Sequence, residues 1–273
     1  MDTAAPLRRD VRLLGTILGQ VLVEQDGPWL LELVERIRHD AQSARRNGVV
    51  ADVDTALPAR DQALVLRAFG LYFQLANLAE QLHRLRRRRE DARGGVVARE
   101  SLDEAFRSLE EADLARAHTT SVRLVLTAHP TEATRRTVLL AHIRIAEELH
   151  RLDDLRLLPT ERNDIEKRIA EEVTLLWQTD EVRHGRLRIS DEIRHGLWFF
   201  EHSLMTAAGD LLAEWRERLP AAPPPLRFGS WIGGDMDGNP SAGTETIEEA
   251  RSRARRLARE RYRDRVRDRK SVV

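Results

Sequence analysis

Residues 122–140, VRLVLTAHPTEATRRTVLL, decide the fold of this chain. The first part, 122–127, alternates and is rich in β-branched side chains, which predicts a short strand. Pro130 disfavours helical backbone at His129, whereas Thr131 and Glu132 supply an N-cap and an acidic first turn for a helix that runs to about residue 152. The stretch therefore predicts a strand, a tight loop and a helix in direct succession.

The rest of the chain is predicted to be mostly helical. Apolar residues recur at helical spacings, which predicts two helices over 11–46 interrupted at Gly27-Pro28, further helices over 61–89, 102–117, 161–184 and 191–218, and a final one capped by Thr244 or Thr246. We interpret the arginine run 86–89 as a solvated helix end favoured by the helix dipole.

A second short strand is predicted near the end of the chain, in LRFGSWIGGDMDGNP at 226–240. Strand character extends to Trp231 and is followed by a glycine-rich loop. No structural need evident in the sequence explains the close spacing of Gly229, Gly233, Gly234 and Gly238, and glycines allow a backbone to approach a ligand closely. Each predicted strand is thus followed by a polar loop at its C-terminal end, and active sites of α/β barrels are formed by loops in this position.

Composition excludes several classes of protein. The 273 residues carry 45 basic and 45 acidic side chains, so the net charge gives no sign of nucleic-acid binding. No apolar run approaches the roughly 18 residues of a membrane span. The absence of cysteine excludes disulfides and thiolate metal sites, and the N-terminus lacks the apolar core of a signal peptide, which indicates the cytoplasm.

Two arginines and a histidine in the opening stretch are candidates for function. Arg135 and Arg136 lie in the first turns of the predicted helix, where each opposes the helix dipole unless an anion compensates. A phosphate or carboxylate ligand would do so, and so would pairing with Glu132 or with acids elsewhere. His129 carries an imidazole that titrates near neutrality, although a lone histidine is often structural.

A metal site is an alternative interpretation of other residues. Three pairs have the Glu-x-x-His spacing of di-iron carboxylate bundles: Glu147 with His150, Glu181 with His184, and Glu192 with His195. Arginines crowd two of the three pairs, which favours solvated helix faces over a metal-binding interior.

Several segments resemble one family. VLTAHPTEATRR at 125–136 resembles the TAHPT signature of phosphoenolpyruvate carboxylase, and FGSWIGGDMDGNP at 228–240 resembles that family's FGSWxGGDRDGNP signature. LGTILGQVLVEQDGPWLLELVERIR, RAFGLYFQLANLAEQLHRLRRRR and LWQTDEVR are similar to family sequence in the family order. The resemblance implies a mostly α protein with leading helices over 1–120 and, over 121–267, the first strands and helices of an incomplete (β/α)8 barrel.

The resemblance also implies an activity. Bicarbonate attacks phosphoenolpyruvate to give carboxyphosphate and an enolate, whose carboxylation yields oxaloacetate and phosphate, with Mg²⁺ or Mn²⁺ stabilising the enolate. His129 would be catalytic; the substrate pocket would include Trp231, Gly233, Gly234 and Asp235; and Arg135 with Arg136 would bind a phosphorylated activator. Met236 departs from the family, because an arginine is expected between Asp235 and Asp237.

The length of the chain qualifies this expectation. Family members are roughly three times longer, so we expect an N-terminal fragment without metal ligands of its own and inactive alone, with a homotetramer for the intact enzyme. The last six residues, DRKSVV at 268–273, match a translated sequencing adapter and are interpreted as a non-native tail. The alternative function is a non-catalytic helical adaptor derived from the same scaffold, which a natural stop codon after about residue 267 would favour.

Overall fold

The computed structural model describes residues 4–49, 57–97, 101–127, 135–180, 188–237 and 240–270. These residues form ten α-helices, one π-helical turn and two strands. The helices are α1 (Ala5–Asp26), α2 (Pro28–Arg46), α3 (Ala59–Arg93), α4 (Leu102–Ser108), α5 (Glu111–Ala117), α6 (Arg136–Arg151), α7 (Pro159–Gln178), α8 (Ile189–Phe199), α9 (Met205–Arg218) and α10 (Thr244–Lys270). The strands are β1 (Val122–Leu126) and β2 (Leu226–Ser230), and the π-helical turn is Phe200–Leu204.

Two compact units divide the chain. The first, which we call the helical unit, comprises Met1–Gly94 and Thr134–Val182; the second, the strand unit, comprises Gly95–Ala133 and Arg183–Val273. The mostly helical architecture is confirmed, and the strands form one parallel two-stranded sheet. A barrel, and the predicted division at residue 120, stay predictions. Among the described residues no helix is long and apolar enough to cross a membrane.

The helical unit is built on the apolar stripes that the sequence shows. Buried side chains from α1, α3, α6 and α7 form one core, with Leu30 of α2 fully buried beside them. Its fully buried members include Leu14, Leu22, Leu75, Ile145, Leu149, Ile165 and Ile169. Burial of such side chains provides roughly 1.5–3 kcal/mol each, which makes this core the main source of the unit's stability.

The predicted interruption at Gly27-Pro28 is confirmed. Gly27 has φ 98° and ends α1, donating its N–H to Val23, while Pro28 begins α2. Glycine tolerates this positive φ, and proline at a first helical position loses no hydrogen bond, so the two residues turn the chain between the helices. Trp177 of α7 fixes the same corner, because its indole N–H donates to Asp26 Oδ2 at 2.9 Å.

The prediction that the arginine run 86–89 is a solvated helix end is wrong for Arg86. The side chain of Arg86 is 11% exposed and donates to Asp10 Oδ2 at 2.5 Å and to Asp153 Oδ2 at 2.7 Å. Asp10 is fully buried, and Arg9 pairs with both aspartates at 2.8 and 2.9 Å. This four-residue network joins α3, through Arg86, to Arg9 and Asp10 near the start of α1 and to Asp153 just after α6.

The strand unit departs from the sequence predictions at helix boundaries. The helix predicted over 102–117 is two helices, α4 and α5, separated at Leu109 and Glu110 by extended backbone. The helix predicted over 191–218 is present, but it contains the π-helical turn between α8 and α9. In the helical unit, α7 ends at Gln178, before the predicted residue 184.

Candidate functional site

The two signature motifs begin at neighbouring positions of the sheet. β1 and β2 pair in parallel, with Val122 opposite Leu226 and Leu126 opposite Ser230. The ladder extends one step further, because Trp231 N–H donates to Leu126 O at 2.8 Å. The C-terminal ends of both strands therefore lie side by side, and the segments that follow them leave the same edge of the sheet.

The two faces of this sheet differ. Phe228 stacks edge to face on Phe200 of the π-helical turn, with ring centroids 5.1 Å apart. Since side chains alternate along a strand, Arg123, Val125 and Arg227 lie on the opposite face. Val125 is 46% exposed and Leu124, on the face of Phe228, is 49% exposed, so β1 is open on both faces in the part of the chain that the structure describes. We call the face that carries the two arginines the open face.

The glycine-rich loop starts with a tight turn. Gly234 N–H donates to Trp231 O at 2.9 Å, and Gly233, the third residue of this turn, has φ 84°. A positive φ at that position is what a type II turn requires, and glycine adopts it at little cost. The turn leaves the Trp231 side chain 56% exposed at the end of β2.

Packing supplies a structural reason for Gly233 and corrects the sequence interpretation of the loop. A Cβ at Gly233 would lie 3.1 Å from Ile193 Cδ1, from Ala250 Cβ and from Thr246 O, so α8 and α10 close over this residue. Ile232 packs on α8 in the same way, because a Cβ at Gly196 would lie 2.5 Å from Ile232 Cδ1. Glycine at 233 is therefore needed by the fold itself, without any ligand.

Thr246 holds the far end of the loop. α10 begins at Thr244, so Thr246 lies in its first turn instead of at the predicted N-cap position, and its hydroxyl accepts from the N–H of Gly243, the residue before the helix, at 2.9 Å. The same hydroxyl lies 2.7 Å from Gly233 O, a carbonyl to which it can donate. One side chain thus links the turn after β2 to the start of α10.

The acidic part of the loop has no arginine between its carboxylates. Asp235 Oδ1 accepts from Asp237 N–H at 3.2 Å, and Met236 between them is 55% exposed. Neither aspartate has a basic partner among the described residues. Burial, together with the charge of Asp235, raises the pKa of Glu192 on α8 above its usual range. The loop therefore concentrates negative charge beside α8.

The remaining predicted site residues fall into two groups. His129, Thr131 and Glu132 lie outside the described residues, as do Gly238 and Asn239. Arg135 and Arg136 are described, in the helical unit: Arg135 is the N-cap of α6 and Arg136 its first residue, so Thr131 does not cap this helix. The structure thus brings together Trp231, Gly233, Gly234 and Asp235, and describes the two arginines separately.

The start of α6 has no carboxylate neighbour in the described part of the chain. No acidic residue lies in the first turn of α6, and neither Arg135 nor Arg136 forms an ion pair with a described residue. Arg135 Nε is buried without a hydrogen-bond partner. The alternative in which acids elsewhere neutralise these arginines therefore has no support among the residues that the structure places.

The Glu-x-x-His pairs raised the possibility of a metal site, which the described residues can be compared with. Among the described residues there is no group of three or more His, Asp or Glu side chains that could hold a metal ion. His150 Nε2 instead lies 3.2 Å from a guanidinium nitrogen of Arg89, and His195 packs edge to face against Phe199 with ring centroids 5.1 Å apart. Glu181 and His184 are outside the described residues. The residues that the structure places therefore do not fit a di-iron site or a magnesium site.

These observations define a mostly α protein with one pair of parallel strands, and both sequence motifs continue past the C-terminal ends of these strands. Residues 7–271 match the family model described as phosphoenolpyruvate carboxylase. The chain belongs to the phosphoenolpyruvate carboxylase family.

Full-length relatives place the chain within that family. It is 40% identical over 257 residues to the phosphoenolpyruvate carboxylase of Pseudomonas paraeruginosa, covering 87% of this chain and 29% of that protein. The phosphoenolpyruvate carboxylase of Nocardia farcinica is 40% identical over 277 residues, which cover 92% of this chain and 29% of that protein. The phosphoenolpyruvate carboxylase of Mycobacterium leprae is 37% identical over 270 residues, which cover 91% of this chain and 29% of that protein. The chain thus spans less than a third of the length of these relatives.

Proposed function

We propose that this chain supplies the first two loops of the active site of a phosphoenolpyruvate carboxylase. The reaction joins bicarbonate and phosphoenolpyruvate to give oxaloacetate and phosphate. One observation carries the proposal: the parallel pairing of β1 with β2, extended by the bond from Trp231 to Leu126, starts both motif-bearing loops at one edge of the sheet. In α/β barrels the active site is formed by the loops that follow the C-terminal ends of the parallel strands.

His129 has the proton-transfer role in this proposal. Its position three residues after Leu126 ties it to the end of β1 by a short segment. An imidazole with a pKa near neutrality can accept the proton of carboxyphosphate as that intermediate releases carbon dioxide beside the enolate. The imidazole takes the carboxyl proton, the bond between the carboxyl carbon and the bridging oxygen of carboxyphosphate breaks with its electron pair going to the phosphate, and the enolate carbon forms a carbon–carbon bond with the carbon dioxide released.

Trp231 has the role of excluding water. Its indole is more than half exposed at the end of β2, so it is available to line a cavity closed by other parts of a longer protein. An enolate that meets water is protonated to pyruvate, whereas one that meets carbon dioxide becomes oxaloacetate. Gly233 and Gly234 set the turn that holds the indole there, and Asp235 follows at the loop surface.

Arg135 and Arg136 have the role of binding a phosphorylated activator. Two adjacent guanidiniums at a helix N-terminus, without a carboxylate partner in the described residues, suit a phosphate that offers several oxygen acceptors. Mg²⁺ or Mn²⁺ would stabilise the enolate in the intact enzyme. Its ligands are expected outside this chain, and we assign no step of the metal to the residues described. A homotetramer and a cytoplasmic location are likewise proposals taken from the family.

The proposal is tested with two assays. The purified 273-residue chain, supplied with phosphoenolpyruvate, bicarbonate and Mg²⁺, should form no oxaloacetate, because this segment alone neither clamps the substrate nor holds the metal. In a full-length protein that contains this segment, His129→Asn should release phosphate without matching oxaloacetate. The exposed His39, which pairs only with its neighbour Asp40, provides the control His39→Asn. Unchanged oxaloacetate yield in His129→Asn would remove the histidine from the mechanism.

A second candidate function is a non-catalytic helical adaptor. Met236 favours it, because the missing cation leaves Asp235 and Asp237 without a basic partner among the residues placed. Sequencing of the gene distinguishes the two: several hundred further codons support the carboxylase, and a stop codon after about residue 267 supports the adaptor.

A further inference from the structure

The open face of the sheet carries two arginines directly opposite each other. Arg123 on β1 is the register partner of Arg227 on β2, and both side chains are exposed. Neighbouring strands lie about 4.8 Å apart, and like charges directly opposite on one face of a sheet are destabilising. The sequence motifs did not single out either residue, since the pairing of the strands is what brings them together.

No carboxylate compensates this pair in the part of the chain that the structure describes. Neither arginine has an ion pair or a hydrogen bond with another described residue, and Asp235 and Asp237, the acids of the loop that follows β2, do not reach them. The pair is therefore a local excess of positive charge on a surface whose other described residues, Val125 and Gly229, are uncharged.

Gly229 shapes this surface. A Cβ at Gly229 would lie 3.3 Å from Val125 Cγ2, 3.5 Å from Arg123 Cδ and 3.7 Å from Arg123 Cγ, so the stem of Arg123 lies beside Gly229. Gly229 lies two residues beyond Arg227 along β2, so the stem leans toward the C-terminal end of the sheet. The register pairing places the two exposed arginines on adjacent strands of one face, so that one ligand could contact both.

We propose that Arg123 and Arg227 form an oxyanion-binding site on the open face of the sheet. Each guanidinium presents a planar fork of donors that matches a phosphate or a carboxylate. One oxyanion between them would receive hydrogen bonds from both and remove their mutual repulsion. The site is distinct from the phosphate site proposed at Arg135 and Arg136, and it does not depend on the carboxylase proposal.

Calorimetry with inorganic phosphate tests the site in the 273-residue chain. We expect a phosphate site whose affinity is about tenfold weaker in Arg123→Gln and in Arg227→Gln, since each removes a charge-assisted contact. The matched control is Arg107→Gln, an exposed arginine of α4 that should leave this binding unchanged, and Arg136→Gln separates it from phosphate bound at the start of α6. Acetate as a second titrant separates two sources of the anion: binding as tight as that of phosphate indicates a protein carboxylate, and weaker binding indicates a free phosphate.

A charge reversal provides an independent measurement. Arg123→Glu places a carboxylate opposite Arg227, which satisfies that arginine within the sheet. It should abolish phosphate binding and raise the melting temperature of the chain. Absence of phosphate binding to the unaltered chain, binding that survives in both glutamine variants, or binding lost only in Arg136→Gln would overturn the proposal.

Discussion

The buried network around Asp10 provides the sharpest stability prediction for this protein. Arg86→Met removes the guanidinium that contacts Asp10 at 2.5 Å and Asp153 at 2.7 Å, while it retains most of the side-chain stem. Asp10 would then be a fully buried carboxylate with one remaining partner, Arg9, at 2.8 Å. Removing one partner from a buried ion pair costs about 3–5 kcal/mol, because the other charge stays desolvated.

Arg87→Met is the matched control. Arg87 neighbours Arg86 on α3 but is 41% exposed, and it contacts Glu90 at 3.2 Å and Asp91 at 3.7 Å on the surface. Exposed pairs of this kind contribute about 0–1 kcal/mol. The same chemical change one residue apart should therefore differ by about 3 kcal/mol in its effect on the free energy of unfolding.

Urea unfolding, followed by hydrogen exchange of α1 and α7 amides, reads out the helical unit alone. With a urea dependence of about 2 kcal/mol per M, Arg86→Met should lower the midpoint by about 2 M. The double variant Asp10→Leu/Arg86→Met should recover part of this loss, because no uncompensated Asp10 carboxylate remains. A midpoint for Arg86→Met that equals the midpoint for Arg87→Met would refute the assignment of Arg86 to the interior.

Low pH should weaken the same network. Burial would raise the pKa of Asp153, but hydrogen bonds from Arg86 and Arg9 outweigh burial and hold it below its usual value. A folded-state pKa below the unfolded value of about 3.9 means stabilisation that is present above that pH and is lost as pH falls through the folded pKa. The difference between Arg86→Met and the unaltered chain should accordingly shrink below about pH 4.

Three further predictions concern the strand unit. Glu192→Gln should raise thermal stability at pH 7 and leave it unchanged near pH 3.5, because a raised folded-state pKa means stability lost as pH rises; an equal effect at both pH values would contradict this. Met236→Arg should lower the Glu192 pKa in a carboxyl NMR titration by supplying a cation beside Asp235, and an unchanged titration would exclude that coupling. Gly233→Ala should cost about 2–4 kcal/mol through its positive φ and overpacking, measured by urea unfolding, whereas Gly234→Ala should cost far less.

Local signals in the sequence were sufficient for most elements. The helical spacings predicted α1, α2, α3 and α6, and the Gly27-Pro28 pair located the corner between the first two helices. Alternation predicted β1 and the start of β2. The same kind of reasoning located the start of α10 near Thr244. Each of these features depends on residues within one or two helical turns of each other, so the information is contained in short stretches.

The errors arose where distant residues decide the outcome. Arg86 is buried because it forms ion pairs with Asp10 and Asp153, which lie 76 and 67 positions away in the sequence. No local pattern distinguishes Arg86 from Arg87. The structural need for glycine at 233 is not evident from the sequence because its neighbours Ile193 and Ala250 come from two other helices. Sequence spacing does not reveal contacts of this kind.

The sequence by itself determined the family, the helical character and the identity of the residues at the two strand ends, because motifs and amphipathic spacing are properties of consecutive residues. Only the tertiary structure decided that β1 and β2 are parallel partners, that Arg123 faces Arg227, and that Asp10 is buried with Arg86. Register and burial depend on which segments meet after the chain folds, and the free energy that selects them comes from contacts between residues far apart in sequence.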